Sequence, residues 1–179
     1  MVVQILRAYN GVSMITSNNW SSPGELFTIE ACLTGCGGTC AHYYFHAEFP
    51  EFISIQHLDI NSLELLTIVV ALKLWGHLWR GLRLTVWCDN EVAVTALNSD
   101  QCRNASVNSC LCEVCFLAAT REFEIHAVHL PGVLNSEADV LLRWNVASYT
   151  KEQFLRCLQR DQLVAVSVPS NFFQLDSPF

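Results

Sequence analysis

LRLTVWCDNEVAVTALNS, Leu82 to Ser99, changes period in its middle. Leu82 to Cys88 is a short apolar run with Leu, Val and Trp, the composition of a buried strand. Beyond it Val92, Val94, Ala96 and Leu97 follow helical spacing, and Asn98 and Ser99 end the run. Asp89 therefore stands at the carboxyl end of a strand, where a helix begins. Open α/β sheets gather their ligands at that end of their strands. The competing reading is that Asp89 only caps the helix, which Asp does well.

Outward from this unit, Asn61 to Trp79 is predicted to be a helix, apolar nearly all round from Leu65 and so buried. Asn61 is its expected N-cap, Glu64 completes a capping box, and Gly81 closes it. Before it, Glu25 to Phe49 reads as strands: Leu26, Phe27 and Ile29 lead into Glu30, Gly35 to Gly38 reads as a turn, and Tyr43 to Phe45 is strand-like. Phe52 to Ile55 is expected to complete or extend this meander, antiparallel because the connections are short. After it come a helix over Asn104 to Thr120, a strand over Phe123 to Val128, the loop from His129 to Gly132, and a helix from about Ser136 to Trp144. The order predicts an α/β fold with a mixed five-stranded sheet, an antiparallel meander extended by parallel strands through helical crossovers. Residues 1–24 read as a lead-in, 25–145 as the domain, and 146–179 as a C-terminal helix and linker tail, extended near Leu163 to Val168 and loose from Ser167 onward.

Of the 179 residues, 51% are hydrophobic and 15% charged, enough apolar material for a sizeable core. The net charge of -7 excludes nucleic-acid binding through a basic overall field. Such a role must rest on a local site, on metal ions that offset carboxylates, or on a neighbouring domain. The nine cysteines are odd in number and no signal-peptide pattern precedes them, so an intracellular, reduced protein is expected. They lack paired Cys-x-x-Cys knuckles and read as buried thiols rather than a zinc site. The longest apolar run, Leu65 to Leu72, is too short to span a bilayer.

Four acids fall at informative ends of these elements: Glu30 in the first strand, Glu64 early in the long helix, Asp89 after the central strand and Asp139 in the last helix. Carboxylates from separate elements supply the hard oxygen ligands of a two-metal site, which clamps the attacking and leaving oxygens of a phosphoryl displacement. Each acid also has a plainer reading: Glu64 as a capping-box residue, Asp139 as a first-turn acid, Glu30 as an exposed strand residue.

Four blocks carry a resemblance: IEACLTGCGG from Ile29, INSLELLTIVVALKLWG from Ile60, LTVWCDNEVAVTALNS from Leu84 and HLPGVLNSEADVLLRW from His129. In this order the chain resembles the ribonuclease H domain that follows reverse transcriptase in retroelements, most closely the tyrosine-recombinase (DIRS-type) retrotransposons. The likeness implies the ribonuclease H-like mixed sheet and an endonuclease activity, metal-dependent hydrolysis of the RNA strand of an RNA–DNA hybrid. It implies two Mg²⁺ ions, with Mn²⁺ able to substitute, held by Glu30, Glu64, Asp89 and Asp139. His129 matches a loop histidine that aids proton transfer or product release, and Asn90 and Asn135 match positions near the substrate backbone. The expected partners are the hybrid and an upstream reverse transcriptase domain in a longer parent chain, with no membrane.

Departures from the family accompany the likeness. Glu30 stands where the family has Asp, and Cys32 and Cys36 replace its Ser and Trp. The extra methylene adds about 1.5 Å of reach, and a misplacement near 1 Å can cost about 10²-fold in rate. The alternative function is therefore a catalytically degenerate module with the same fold that binds nucleic acid or serves as a scaffold. A DNA-cutting integrase or resolvase of related fold fits less well, because integrases usually end on a glutamate where Asp139 stands.

Overall fold

The computed structural model describes residues 27–131, 136–142, 152–154, 156 and 162–176. Strands β1 (Phe27–Ala31), β2 (Gly35–Cys40) and β3 (Tyr43–Glu48) form the antiparallel meander. On the other side of β1, β4 (Arg83–Cys88) and β5 (Glu124–His129) join in parallel. A sixth strand, β6 (Val164–Ala165), pairs in parallel with Tyr43 and Tyr44, so the mixed sheet has the order β5-β4-β1-β2-β3-β6. The expected five strands thus become six, because the extended segment near Leu163 docks on the β3 edge.

The helices are α1 (Glu51–Ser54), α2 (Ile60–Trp75), α3 (Glu91–Ser99), α4 (Ala105–Arg121) and α5 (Ser136–Leu142), with a 3-10 turn at Gly76–Leu78. In β1, Phe27, Ile29 and Ala31 are buried while Thr28 and Glu30 are half-buried, the period-two pattern of a strand with two different faces. Ile29, its register partner Gly38, and Phe45 beyond share the face on which Phe45 meets Trp75 of α2. Helix α2 is buried nearly all round because it lies between the sheet and α4. Arg121 of α4 donates through Nη1 to the carbonyls of Leu72 (2.8 Å) and Lys73 (3.1 Å), reinforcing the end of α2, where Leu72 also accepts the Gly76 N–H.

Three expectations are corrected. Gly35 to Gly38 is strand, not turn; the bends fall at residues 32–34 and at Ala41, which has φ 50°. Close approach requires glycine at Gly38, where a Cβ would sit 2.7 Å from the Thr28 carbonyl oxygen; at Gly37 a Cβ would press on Leu141 of α5 at 3.1 Å. Phe52 to Ile55 is not a strand but largely the short helix α1, which follows Pro50 and buries Ile53 alone; four residues are too few for a period to declare itself. The cap of α2 is Asp59, whose side chain accepts from the Ser62 N–H at 2.9 Å, rather than Asn61. Asp59 also accepts from the Asn104 amide at 2.6 Å, joining the starts of α2 and α4.

The tail expected to be loose is packed over residues 170–176. Phe173 is buried and meets Phe49 edge-on, and Lys73 donates to the Gln174 carbonyl at 2.6 Å. Lys73 also pairs with buried Glu113 at 2.9 Å and with Asp176 at 2.8 Å, while the Asp176 N–H donates to Glu113 at 2.8 Å. The lead-in, residues 1–24, lies outside the described residues, as does most of the C-terminal helix expected after residue 146. Among the described residues no helix is long and apolar enough to cross a membrane.

Gly38→Ala, which adds one methyl against the β1 backbone, is expected to lower stability by about 1–3 kcal/mol. Urea denaturation reads this as a lower midpoint with an unchanged slope; an unchanged midpoint contradicts the packing of β2 on β1.

Candidate metal centre

Three carboxylates approach one another from three elements. Glu30 lies in β1 opposite Gly37. Glu64 lies in the second turn of α2 and is 2% exposed. Asp89 is the first residue after β4. Strands β1 and β4 are parallel neighbours with Phe27 beside Val86 and Thr28 beside Trp87. Two more steps along that register bring Glu30 level with Asp89, at the carboxyl ends of both strands.

Glu64 reaches into this gap from the helix. Its Oε1 accepts the backbone N–H of Ala31 at 3.0 Å, across 33 residues of sequence. Its Oε2 faces the buried Cys88 thiol, which donates at 3.9 Å. Glu64 is therefore not serving a capping box; it bridges the ends of β1 and β4. Asp89 does not cap α3 either, since Asn90 does, accepting from the Ala93 N–H at 3.0 Å. The Asn90 amide also donates to Asn61 at 2.9 Å, so both heteroatoms of its side chain serve local structure.

Burial, then repulsion from Glu30, pushes the Glu64 carboxyl up to about 9; the Ala31 N–H pulls against this, and Asp89 adds to the rise. The Cys88 thiol is pushed up by burial and then by Glu64. Among the described residues, no basic side chain figures in the influences on Glu64. One ligand atom each from Glu64, Cys88 and Asp89 lies within 4.8 Å of the others. The donor set fits a divalent cation, because hard oxygens crowd together and their mutual repulsion is what such an ion offsets.

Of the remaining expected site residues, His129 and Asp139 are described. His129 ends β5 beside Cys88 in register, and its Nε2 lies 3.1 Å from the Asp89 carbonyl oxygen. Asp139 is half-buried on α5, which packs on β1 and β2. Leu141 presses on Gly37, the register partner of Glu30, so α5 covers the sheet face that carries Glu30. Glu30, His129 and Asp139 fall outside the 4.8 Å set. Asn135 lies outside the described residues. Sequence reasoning missed Cys88 as part of the centre, although the alternation Val86, Cys88 along β4 places it on the buried face.

No family model matches the chain, and no curated protein matches it.

The raised Glu64 carboxyl sets a pH dependence. From about 4.5, its ordinary value, to about 9, the folded chain keeps a proton that the unfolded chain has lost, so stability falls as pH rises through this window. A bound divalent ion replaces that proton, so stabilisation by Mn²⁺ is expected to grow with pH over the same range. Thermal unfolding with and without Mn²⁺ checks both slopes, and Glu64→Gln is expected to flatten them.

Proposed function

We propose that the chain is a metal-dependent ribonuclease H-like endonuclease that hydrolyses the RNA strand of RNA–DNA hybrids. The observation that carries this reading is the convergence of Glu30, Glu64 and Asp89 from β1, α2 and β4, with Glu64 tied to the Ala31 N–H. Glu30, Glu64, Asp89 and Asp139 would hold the metal. Two divalent ions, when bound at such a centre, supply a clamp for the attacking and leaving oxygens of an in-line phosphoryl displacement.

The chain's own residues do the rest. The Ala31 N–H and Cys88 fix the direction of Glu64, so its carboxylate is preorganised rather than recruited. His129 is oriented by the Asp89 carbonyl, which only accepts; Nε2 therefore carries the ring proton and Nδ1 is left to accept one at the rim. Discrimination for RNA would come from the 2′-hydroxyl and the shape of the hybrid.

Several basic residues are already engaged: Lys73 with Glu113 and Asp176, Arg80 with Glu122, Arg83 with Glu124, and Arg121 with the α2 carbonyls. With a net charge of -7 as well, hybrid affinity would depend on the divalent ions and on an upstream reverse transcriptase domain in a longer intracellular parent chain. The longer carboxylate at Glu30 favours the second reading, a degenerate module that keeps the fold without cleavage.

Cleavage of a labelled RNA–DNA hybrid in Mg²⁺ or Mn²⁺ separates them. The expected result is cleavage by the native chain, reduced about 10²-fold or more by Asp89→Asn. A folded chain that leaves the hybrid intact, both as it stands and as Glu30→Asp, overturns the hydrolase reading. Activity appearing only in Glu30→Asp selects the degenerate module.

A further inference from the structure

Cys88 closes β4 immediately before Asp89 and is fully buried. Its Sγ lies 3.9 Å from Glu64 Oε2, and it belongs to the set of three ligand atoms within 4.8 Å of one another. The backbone N–H of Asn90 donates to Sγ at 3.3 Å, which fixes the sulfur against the start of α3. The centre thus joins two chemistries. Carboxylate oxygens suit hard ions such as Mg²⁺, which make little use of sulfur. A thiolate beside two carboxylates suits Zn²⁺ or its heavier analogue Cd²⁺.

Zinc binds sulfur at about 2.3 Å and carboxylate oxygen at about 2.0–2.2 Å, which sets neighbouring tetrahedral ligands about 3.6 Å apart. The observed separation of Sγ and Oε2 is a few tenths of an ångström from that spacing. Glu64 is aimed by Ala31 and Cys88 is held by the strand, and an Asp89 carboxylate oxygen lies within 4.8 Å of both ligand atoms.

We infer that Cys88 gives this centre a second, thiophilic mode, in which Zn²⁺ or Cd²⁺ is held by Cys88 Sγ, Glu64 and Asp89 and excludes the hard ions. The inference rests on the carboxylate centre being a metal site, as proposed above. On binding, the S–H bond breaks, its proton passes to solvent, and the sulfur lone pair goes to the ion; nothing is oxidised or reduced. The consequence is regulation of the same centre by zinc, acting as an inhibitor that competes with Mg²⁺.

Cadmium titration of the full chain, followed by the ultraviolet thiolate-to-cadmium charge-transfer band, tests this without any assay of activity. Other cysteines can contribute background, so the comparison is between the native chain, Cys88→Ser and Asp89→Asn, each checked for its fold by circular dichroism. The native chain is expected to show a saturating band whose midpoint rises with added Mg²⁺. Cys88→Ser is expected to lose that component, and Asp89→Asn to weaken it about tenfold or more. Because Asp89→Asn keeps the thiol and leaves the core intact, it decides the matter alone if Cys88→Ser fails to fold. A band of equal size and midpoint in the native chain and both variants overturns the inference, as does indifference to Mg²⁺. A Cys88-dependent band in a chain that never cleaves hybrid sinks the hydrolase reading alone; cleavage without such a band sinks the zinc mode alone.

Discussion

Glu64 brings an ionisable carboxyl into a helix that is buried nearly all round, and much of the architecture near it serves to make that tolerable. The hydrogen bond from the Ala31 N–H spends a strand-end donor on Glu64 Oε1. The Cys88 thiol faces the other oxygen. These contacts satisfy the polar atoms but add no positive charge, while Glu30 and Asp89 add negative charge. Burying a carboxylate without a cationic partner is costly, and a protein ordinarily answers by keeping the group protonated. A divalent ion held there, as proposed above, would offset that repulsion.

The geometry behind this centre begins with the parallel pairing of β1 and β4. That pairing brings two carboxyl strand ends together, each carrying an acid. Helix α2 lies across them with Glu64 pointing back toward the gap, and its start is fixed by Asp59, which in turn holds Asn104 of the neighbouring helix. Its far end is held by Arg121 and by the Lys73–Glu113–Asp176 cluster. At that end Lys73 pairs with Glu113 and Asp176 and anchors the fold; at the other, Glu30 and Asp89 push the Glu64 carboxyl upward.

Much of this was legible in the sequence, for reasons specific to each residue. The change of period at Asp89 marked a strand end because the apolar run and the helical spacing abut there. Glu64 was visible through its position in the long apolar helix, but its partner Ala31 was not, since nothing local connects residues 33 apart. The glycines of β2 misled because glycine signals turns by backbone freedom, whereas here it marks close approach by Thr28 and by Leu141. The tail was misread because Lys73 and Gln174, which hold it, are 101 residues apart. Cys88 was passed over because a strand cysteine ordinarily acts as a small hydrophobe, and only the folded arrangement sets it against two carboxylates.

The most direct measurement is Mn²⁺ binding to the chain by electron paramagnetic resonance, which counts free and bound ion without requiring substrate. The native chain is expected to bind Mn²⁺, and both Glu64→Gln and Asp89→Asn to lose or strongly weaken that binding while the fold survives. Failure of the native chain to bind Mn²⁺ at millimolar concentration, or binding that neither substitution changes, would contradict a metal centre built on Glu64.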